Sequence, residues 1–197
     1  HYLFLGDASA ASPWPTLHGS VGAIVTTFLV IPIVSKMAQK YGKKETFIVS
    51  QSISIIGYIL FWFLFIPGKP YMFLFALPFF SFGIGGLFTL MMSMTADTCD
   101  YEELENGLPR KEGSFGAIYW WMVKLGTALA GLLSGLIMYY VGFAADAASQ
   151  PDGALTGLRI AYSTIPIIGT LIAIYVMSDY EINENRAEEI RTQLNER

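Results

Sequence analysis

Residues Met94 to Phe143 read MTADTCDYEELENGLPRKEGSFGAIYWWMVKLGTALAGLLSGLIMYYVGF, and the class of the whole chain follows from them. A mixed cluster of acids and bases, Asp97 to Glu112, leads without a break into about thirty mostly apolar residues, more than the ~20 that a helix needs to cross hydrocarbon. One charged side chain, Lys124, sits in the middle of that run. An ammonium at such depth costs about 3 kcal/mol on insertion scales and more in simulation, so it normally faces a protein interior or a water-filled cavity. Lys124 is therefore the first functional candidate.

At about 100° per residue, the positions sharing a helical face with Lys124 are Gly113, Ala117, Trp120, Thr127, Ala128, Gly131 and Gly135. That face is small apart from one aromatic. Gly131 and Gly135 form a GxxxG pair, which lets a second helix approach closely in lipid, where packing drives association. The expectation is that Lys124 projects into a helix bundle beside Trp120, either as a functional cation or paired with an acid on another helix. Trp120 is then a packing residue or a surface on which a sugar ring stacks.

Composition agrees with this class. Of the 197 residues, 53% are hydrophobic and only 14% charged, against about a quarter charged in soluble domains. The net charge of −4 gives no reason to expect nucleic acid as a partner. Lone Cys99 excludes an internal disulfide, and no Cys/His spacing suggests a metal site. No nucleophile and base pair appears, so an enzyme is not expected. The chain opens on His1, and HYLFLGD reads as the last turns of something longer.

Four further apolar runs fit membrane spans at about 17–35, 46–66, 71–94 and 157–178, with the Lys124 helix at about 113–142. Pro32 is expected to kink or end the first, and Gly83, Gly85 and Gly86 to bend or thin the third. The stretch KMAQKYGKKET reads as a short hydrophilic turn, the loop from Ala144 to Thr156 as polar, and residues 179–197 as a solvated helix or tail. Positive charges fall in alternate loops: Lys36, Lys40, Lys43 and Lys44, then Arg110 and Lys111, then Arg186, Arg191 and Arg197. The loops between them hold only Lys69, with Arg159 at a span's edge. By the positive-inside rule the C-terminus is cytoplasmic, and residues 1–16 and the Ala144 loop face outward.

Asp97 and Asp100 stand at i and i+3, with Arg110, Lys111 and Glu112 some way on. These charges either lock the cytoplasmic ends of helices together in one conformation or are ordinary solvated-loop charge. His18, near a span's start, reads as an interfacial polar residue.

Two motifs carry a more specific resemblance. Asp97, Asp100, Tyr101 and Glu103 fit Asp-x-x-Asp-Tyr-x-Glu, and Gly107, Arg110, Glu112 and Gly113 fit Gly-x-x-Arg-x-Glu-Gly. Lys124, Gly126 and Ala128 fit the Lys-x-Gly-x-Ala of the helix that follows. Over nearly its whole length the chain resembles the C-terminal half of the glycoside-pentoside-hexuronide:cation symporters of the major facilitator superfamily.

The resemblance implies an all-α polytopic membrane bundle of about five transmembrane helices, helices eight to twelve of a twelve-helix fold, in a bacterial inner membrane. It implies symport of a sugar or sugar acid with a sodium ion or proton by alternating access, the partner being an N-terminal six-helix half. Lys124, Trp120, Tyr119 and Phe88 would face substrate, and Asp97, Asp100, Tyr101, Arg110 and Glu112 would form a cytoplasmic gate. No other cofactor is implied, and the cation's carboxylates would lie in the N-terminal half, so substrate and ion stay open. Trp120 and Trp121 are bulkier than the polar side chains some relatives carry there. A facilitator of the same fold for a non-sugar solute, or a membrane receptor or scaffold, are the alternatives.

Overall fold

The structure is a computed structural model, and it describes residues 3–5, 7–107, 109–144, 150, 151 and 153–196. The chain forms α1 (Ala8–Ala11), α2 (Trp14–Val25), a π-helical turn (Thr26–Val30), α3 (Ile31–Tyr41), α4 (Lys43–Leu64), a 3₁₀ segment (Pro70–Ala76), α5 (Leu77–Asn106), α6 (Glu112–Tyr140), α7 (Ala154–Ser178) and α8 (Glu184–Asn195). Among the described residues, five helical segments are long and apolar enough to cross a membrane. The architecture is all-α and polytopic. His1, Arg197 and much of the Ala144 to Thr156 loop lie outside the described residues; Leu3 accepts a 2.8 Å hydrogen bond from the Gly68 amide.

Pro32 does not end the first span. It occupies one of the first two positions of α3, where its missing N–H is not needed. The turn before it widens instead, the Ile31 amide donating five residues back to the Thr26 carbonyl, a π-bulge that lets the helix continue to Tyr41. The expected hydrophilic turn shrinks to Gly42 alone, which links α3 to α4 at φ 91°, a left-handed value that favours glycine. Lys36 and Lys40 are thus helical. So is the acid cluster from Asp97 to Asn106, the last turns of α5, which Gly107 closes at φ 62° with its amide donating to the Glu103 carbonyl.

α4 is the centre of the molecule, packed against α5, α7 and α3. Its buried face, Thr46, Phe47, Ser50, Gln51, Ser54, Gly57 and Phe61, is mostly small and polar. Small residues let backbones approach in lipid, where a polar side chain needs a partner on the next helix. A Cβ on Gly83 would stand 2.7 Å from the Ser54 Cβ, one on Gly86 2.7 Å from the Ser50 Cβ, and one on Gly57 2.6 Å from the Phe80 backbone nitrogen. Gln51 Nε2 donates to the Gly83 carbonyl across the same seam at 3.0 Å. The glycines therefore do not break α5, which is continuous; Gly83 and Gly86 seat α4, and Gly85 seats Val30 of the π turn.

Gly83→Leu is accordingly expected to cost about 1–3 kcal/mol by overpacking. Thermal unfolding of the full-length protein in detergent measures it, and an unchanged midpoint would mean that the seam is not close-packed.

Apolar contacts close the two ends of the seam. Val30, Val34, Phe47, Leu90, Met94 and Met177 make one cluster, and Phe61, Phe73 and Ala76 another. His18 stacks on Phe80 with ring centroids 5.8 Å apart, within the second group's aromatic surroundings.

α6 differs from its neighbours. None of its residues is buried, and it touches α5 and α7 only sparsely. Nothing lies within 4 Å of a Cβ built on Gly126, Gly131 or Gly135. The close helix expected against the GxxxG face is not supplied by the described residues of this chain.

Candidate functional site

The charged residues of the two motifs gather at one end of the helices. Asp97, with 6% of its side chain exposed, holds two cations: Lys43 Nζ at 2.5 Å and Arg191 Nη2 at 3.1 Å. Lys43 is brought there by the Gly42 turn, which starts α4 beside the end of α5. Arg191 comes from α8. Asn183 caps that helix, its side chain accepting from the Arg186 amide, and Ala187 and Ile190 are buried as it packs against α5. The C-terminal helix is therefore not solvated all round: α8 docks and delivers a guanidinium to a buried carboxylate.

Lys44 reaches the other way. Its Nζ donates to the Ser178 carbonyl at 2.7 Å and the Tyr180 carbonyl at 2.9 Å, placing a cation on the C-terminal end of α7, where orphan carbonyls and the helix dipole favour it. Burial pushes the Tyr180 phenol above its ordinary pKa; a hydrogen bond with Thr98 pulls it down and the charge of Asp97 adds to the rise. The phenol stays protonated at neutral pH. Its hydroxyl donates to the Met94 carbonyl at 3.4 Å, a long bond.

A second set of ion pairs folds the loop after α5 back on its helix. Arg110 bridges Asp100 at 3.2 Å and Glu112 at 3.0 Å, and Lys111 meets Glu102 at 2.5 Å. Asp97 and Asp100 thus share a helix end but not a partner. Tyr101 is exposed there. These charges are not plain loop charge, since Asp97 is buried and doubly paired. Sequence reading missed Lys43 and Arg191 as its partners, 54 and 94 residues away. The one available signal for Arg191 was its place beside Ile190 on an amphipathic helix.

The other candidates lie apart from this node. Lys124 is exposed on α6 and makes no ion pair with a described residue. Tyr119 and Trp120 meet edge to face at 5.3 Å one turn away, with Trp120 about half exposed. Phe88 is exposed on α5, and no ring contact joins it to Tyr119 or Trp120 among the described residues. The chain alone does not gather these four side chains into one pocket. Among the described residues no group of three His, Cys, Asp or Glu is placed to hold a metal ion, and Cys99 is buried within α5.

A family model described as "MFS/sugar transport protein" matches residues 3–184. The glucuronide carrier protein homolog of Escherichia coli (strain K12) is 28% identical over 174 residues, 88% of this chain and 37% of that protein. The putative sulfoquinovose importer of the same organism is 30% identical over 181 residues, 90% of this chain and 37% of that protein. The isoprimeverose transporter of Lactiplantibacillus pentosus is 26% identical over 171 residues, 83% of this chain and 34% of that protein. The chain spans a little over a third of the length of these curated relatives.

Proposed function

The chain belongs to the MFS/sugar transport protein family, and from that premise we propose that it is the C-terminal part of a sugar:cation symporter that works by alternating access. It is a multi-pass membrane protein. The observation that carries the reading is α6: a membrane-length helix whose small-residue face, with Lys124 at its middle, is left open by the rest of the chain. A lysine costs too much at that depth to face acyl chains. In this reading the face lines a central cavity completed by the remaining length that the relatives possess, and Lys124 is answered there by a solute or counter-charge. Trp120 and Tyr119 offer a stacking surface one turn away, and Phe88 a further aromatic wall.

The charged end supplies the second requirement. Asp97 and its two cations, with Asp100, Arg110 and Glu112, form a set of pairs that can hold one end of the cavity closed and reopen without covalent change. By the distribution of lysine and arginine, that end is cytoplasmic. The substrate class, a sugar or sugar acid, rests on what the relatives are named for, and the coupling ion, sodium or proton, on the symporter reading.

Uptake of a panel of neutral and acidic sugars by proteoliposomes holding the full-length protein tests this. Accumulation against a gradient only when sodium or protons flow inward is the expected result. Flux without ion dependence would make the protein a facilitator, and no flux of any sugar would remove the transport reading.

A further inference from the structure

Leu3 and Phe4 line a cavity of about 430 Å³ against Phe65, Leu155, Leu158 and Tyr162. A second cavity, of about 240 Å³, lies further along the same helices, between Gln51 and Tyr58 of α4, Gly83 and Leu87 of α5, and Pro166, Gly169 and Thr170 of α7. The two share their walls. Gln51, Tyr58 and Phe65 recur every seven residues, and Leu155, Leu158, Tyr162, Pro166, Gly169 and Ala173 every three or four, so each set is one stripe along its helix. Together the stripes wall a trough that runs from Leu3 toward the Asp97 end. Between Leu155 and Ala173 it is ~27 Å long at ~1.5 Å per residue, close to the ~30 Å of a hydrocarbon core.

Polar side chains stand at its deep end. Gln51 and Thr170 are 6% and 8% exposed. Gln51 Nε2 donates to the Gly83 carbonyl, but among the described residues its Oε1 accepts from none, and the Thr170 hydroxyl bonds to none. Other helical threonines, Thr26, Thr95 and Thr98, return the hydroxyl to the carbonyl four residues back. Unlike the sealed hydroxyls of Ser50 and Ser81, these two oxygens are reachable from the trough. Nothing lies within 4 Å of a Cβ built on Gly169 beside them.

We infer that the trough seats one transmembrane helix, the segment immediately N-terminal to His1 in the full-length protein, and that this helix brings a carboxamide or hydroxyl side chain to Gln51 and Thr170. Leu3 and Phe4 already stand in the mouth, and the Gly68 amide holds the Leu3 carbonyl there at 2.8 Å, so chain arriving at His1 reaches the trough without a connecting loop. The relatives possess the length, since this chain covers 37% of two of them. A lipid tail matches the trough in length but brings no donor for Gln51 Oε1, and a polar atom in hydrocarbon needs a partner. A second copy would have to enter past Leu3 and Phe4. The open space at Gly169 lets a helix backbone approach closely. Gln51 lies ~21 Å below Phe65 along α4, which places the matching polar side chain about 12 residues before His1. The trough belongs to α4, α5 and α7 and leaves the Lys124 face untouched, so the inference does not depend on the transport reading.

Cysteine pairs in the full-length protein, otherwise cysteine-free and kept in its membrane, test this. Gly169→Cys, which nothing crowds, is combined in turn with one cysteine at each of the ~20 positions before His1. Oxidation is expected to join the pair at positions three or four apart, centred about 12 before His1. Ile160→Cys, exposed on another side of α7, should join none of them. Thr170→Val should lower the melting temperature in detergent by about 1–2 °C, the size of one interhelical hydrogen bond in a membrane protein. A hydroxyl facing lipid would instead leave the protein no less stable when removed. No link to any upstream position, a link only between two copies of Gly169→Cys alone, equal linking from Ile160→Cys, or an unchanged or raised melting temperature in Thr170→Val would each overturn the inference.

Discussion

Lys124→Ala is expected to lower sugar uptake about 10- to 100-fold in the full-length protein, the span set by a hydrogen bond to a charged group worth roughly 1.5–3 kcal/mol. The residue sits midway along a 29-residue helix, none of whose residues is buried by the rest of this chain. Its removal therefore disturbs little of the packing described here, and the yield and melting temperature of the protein should change far less than its transport. If Lys124 meets substrate directly, the loss falls mainly on KM. If it meets a counter-charge that must be neutralised before the cavity rocks, the loss falls on turnover at saturating sugar. Lys124→Arg keeps the charge on a wider head and should retain part of the activity. Uptake by Lys124→Ala equal to that of the parent would end the role proposed for this residue, whatever the protein transports.

Asp97→Ala should be the most destabilising of the changes at the charged end. It leaves Lys43, with 17% of its side chain exposed, facing a space from which its counter-charge has gone, and it releases Arg191. Breaking a buried pair from one side costs roughly 3–5 kcal/mol. The loss here belongs near the lower bound, because Arg191 is 45% exposed and water screens it once freed. Arg191→Ala alone should cost about 1 kcal/mol or less for the same reason. The two readouts are the melting temperature in detergent and the rate of trypsin cleavage at Arg186, which rises if α8 lifts from α5. A double-mutant cycle of Asp97→Ala with Arg191→Ala isolates the contribution of the pair. Unchanged melting and unchanged cleavage in Asp97→Ala would mean that the node does not hold α8.

The hydropathy pattern made five spans and an all-α class legible, because each apolar stretch must satisfy its own backbone hydrogen bonds in lipid and only helix does so within one segment. Motif spacing likewise brought Asp97, Asp100, Arg110 and Glu112 forward as a group. Both are local properties, carried by residues near each other in the chain. Of the two outcomes expected at Pro32, a kink or an end, the end does not occur, because a proline's effect depends on whether the preceding turn can widen, which Thr26–Val30 does.

What remained illegible is a matter of which faces meet. Gly83 and Gly86 read in the sequence as places where a helix bends or thins, and become contact points only because Ser54 and Ser50 stand opposite them. Arg191 looks like one charge in a solvated tail until Ile190 is buried and turns it toward Asp97. The sequence by itself determined how many helices, among the described residues, are long and apolar enough to cross a membrane, since the cost of an unpaired amide in hydrocarbon is settled within each segment. Only the tertiary structure decided which helix is central, which carboxylate holds two cations and that α6 is left without a close neighbour among the described residues, since those depend on close approach between residues far apart in the chain.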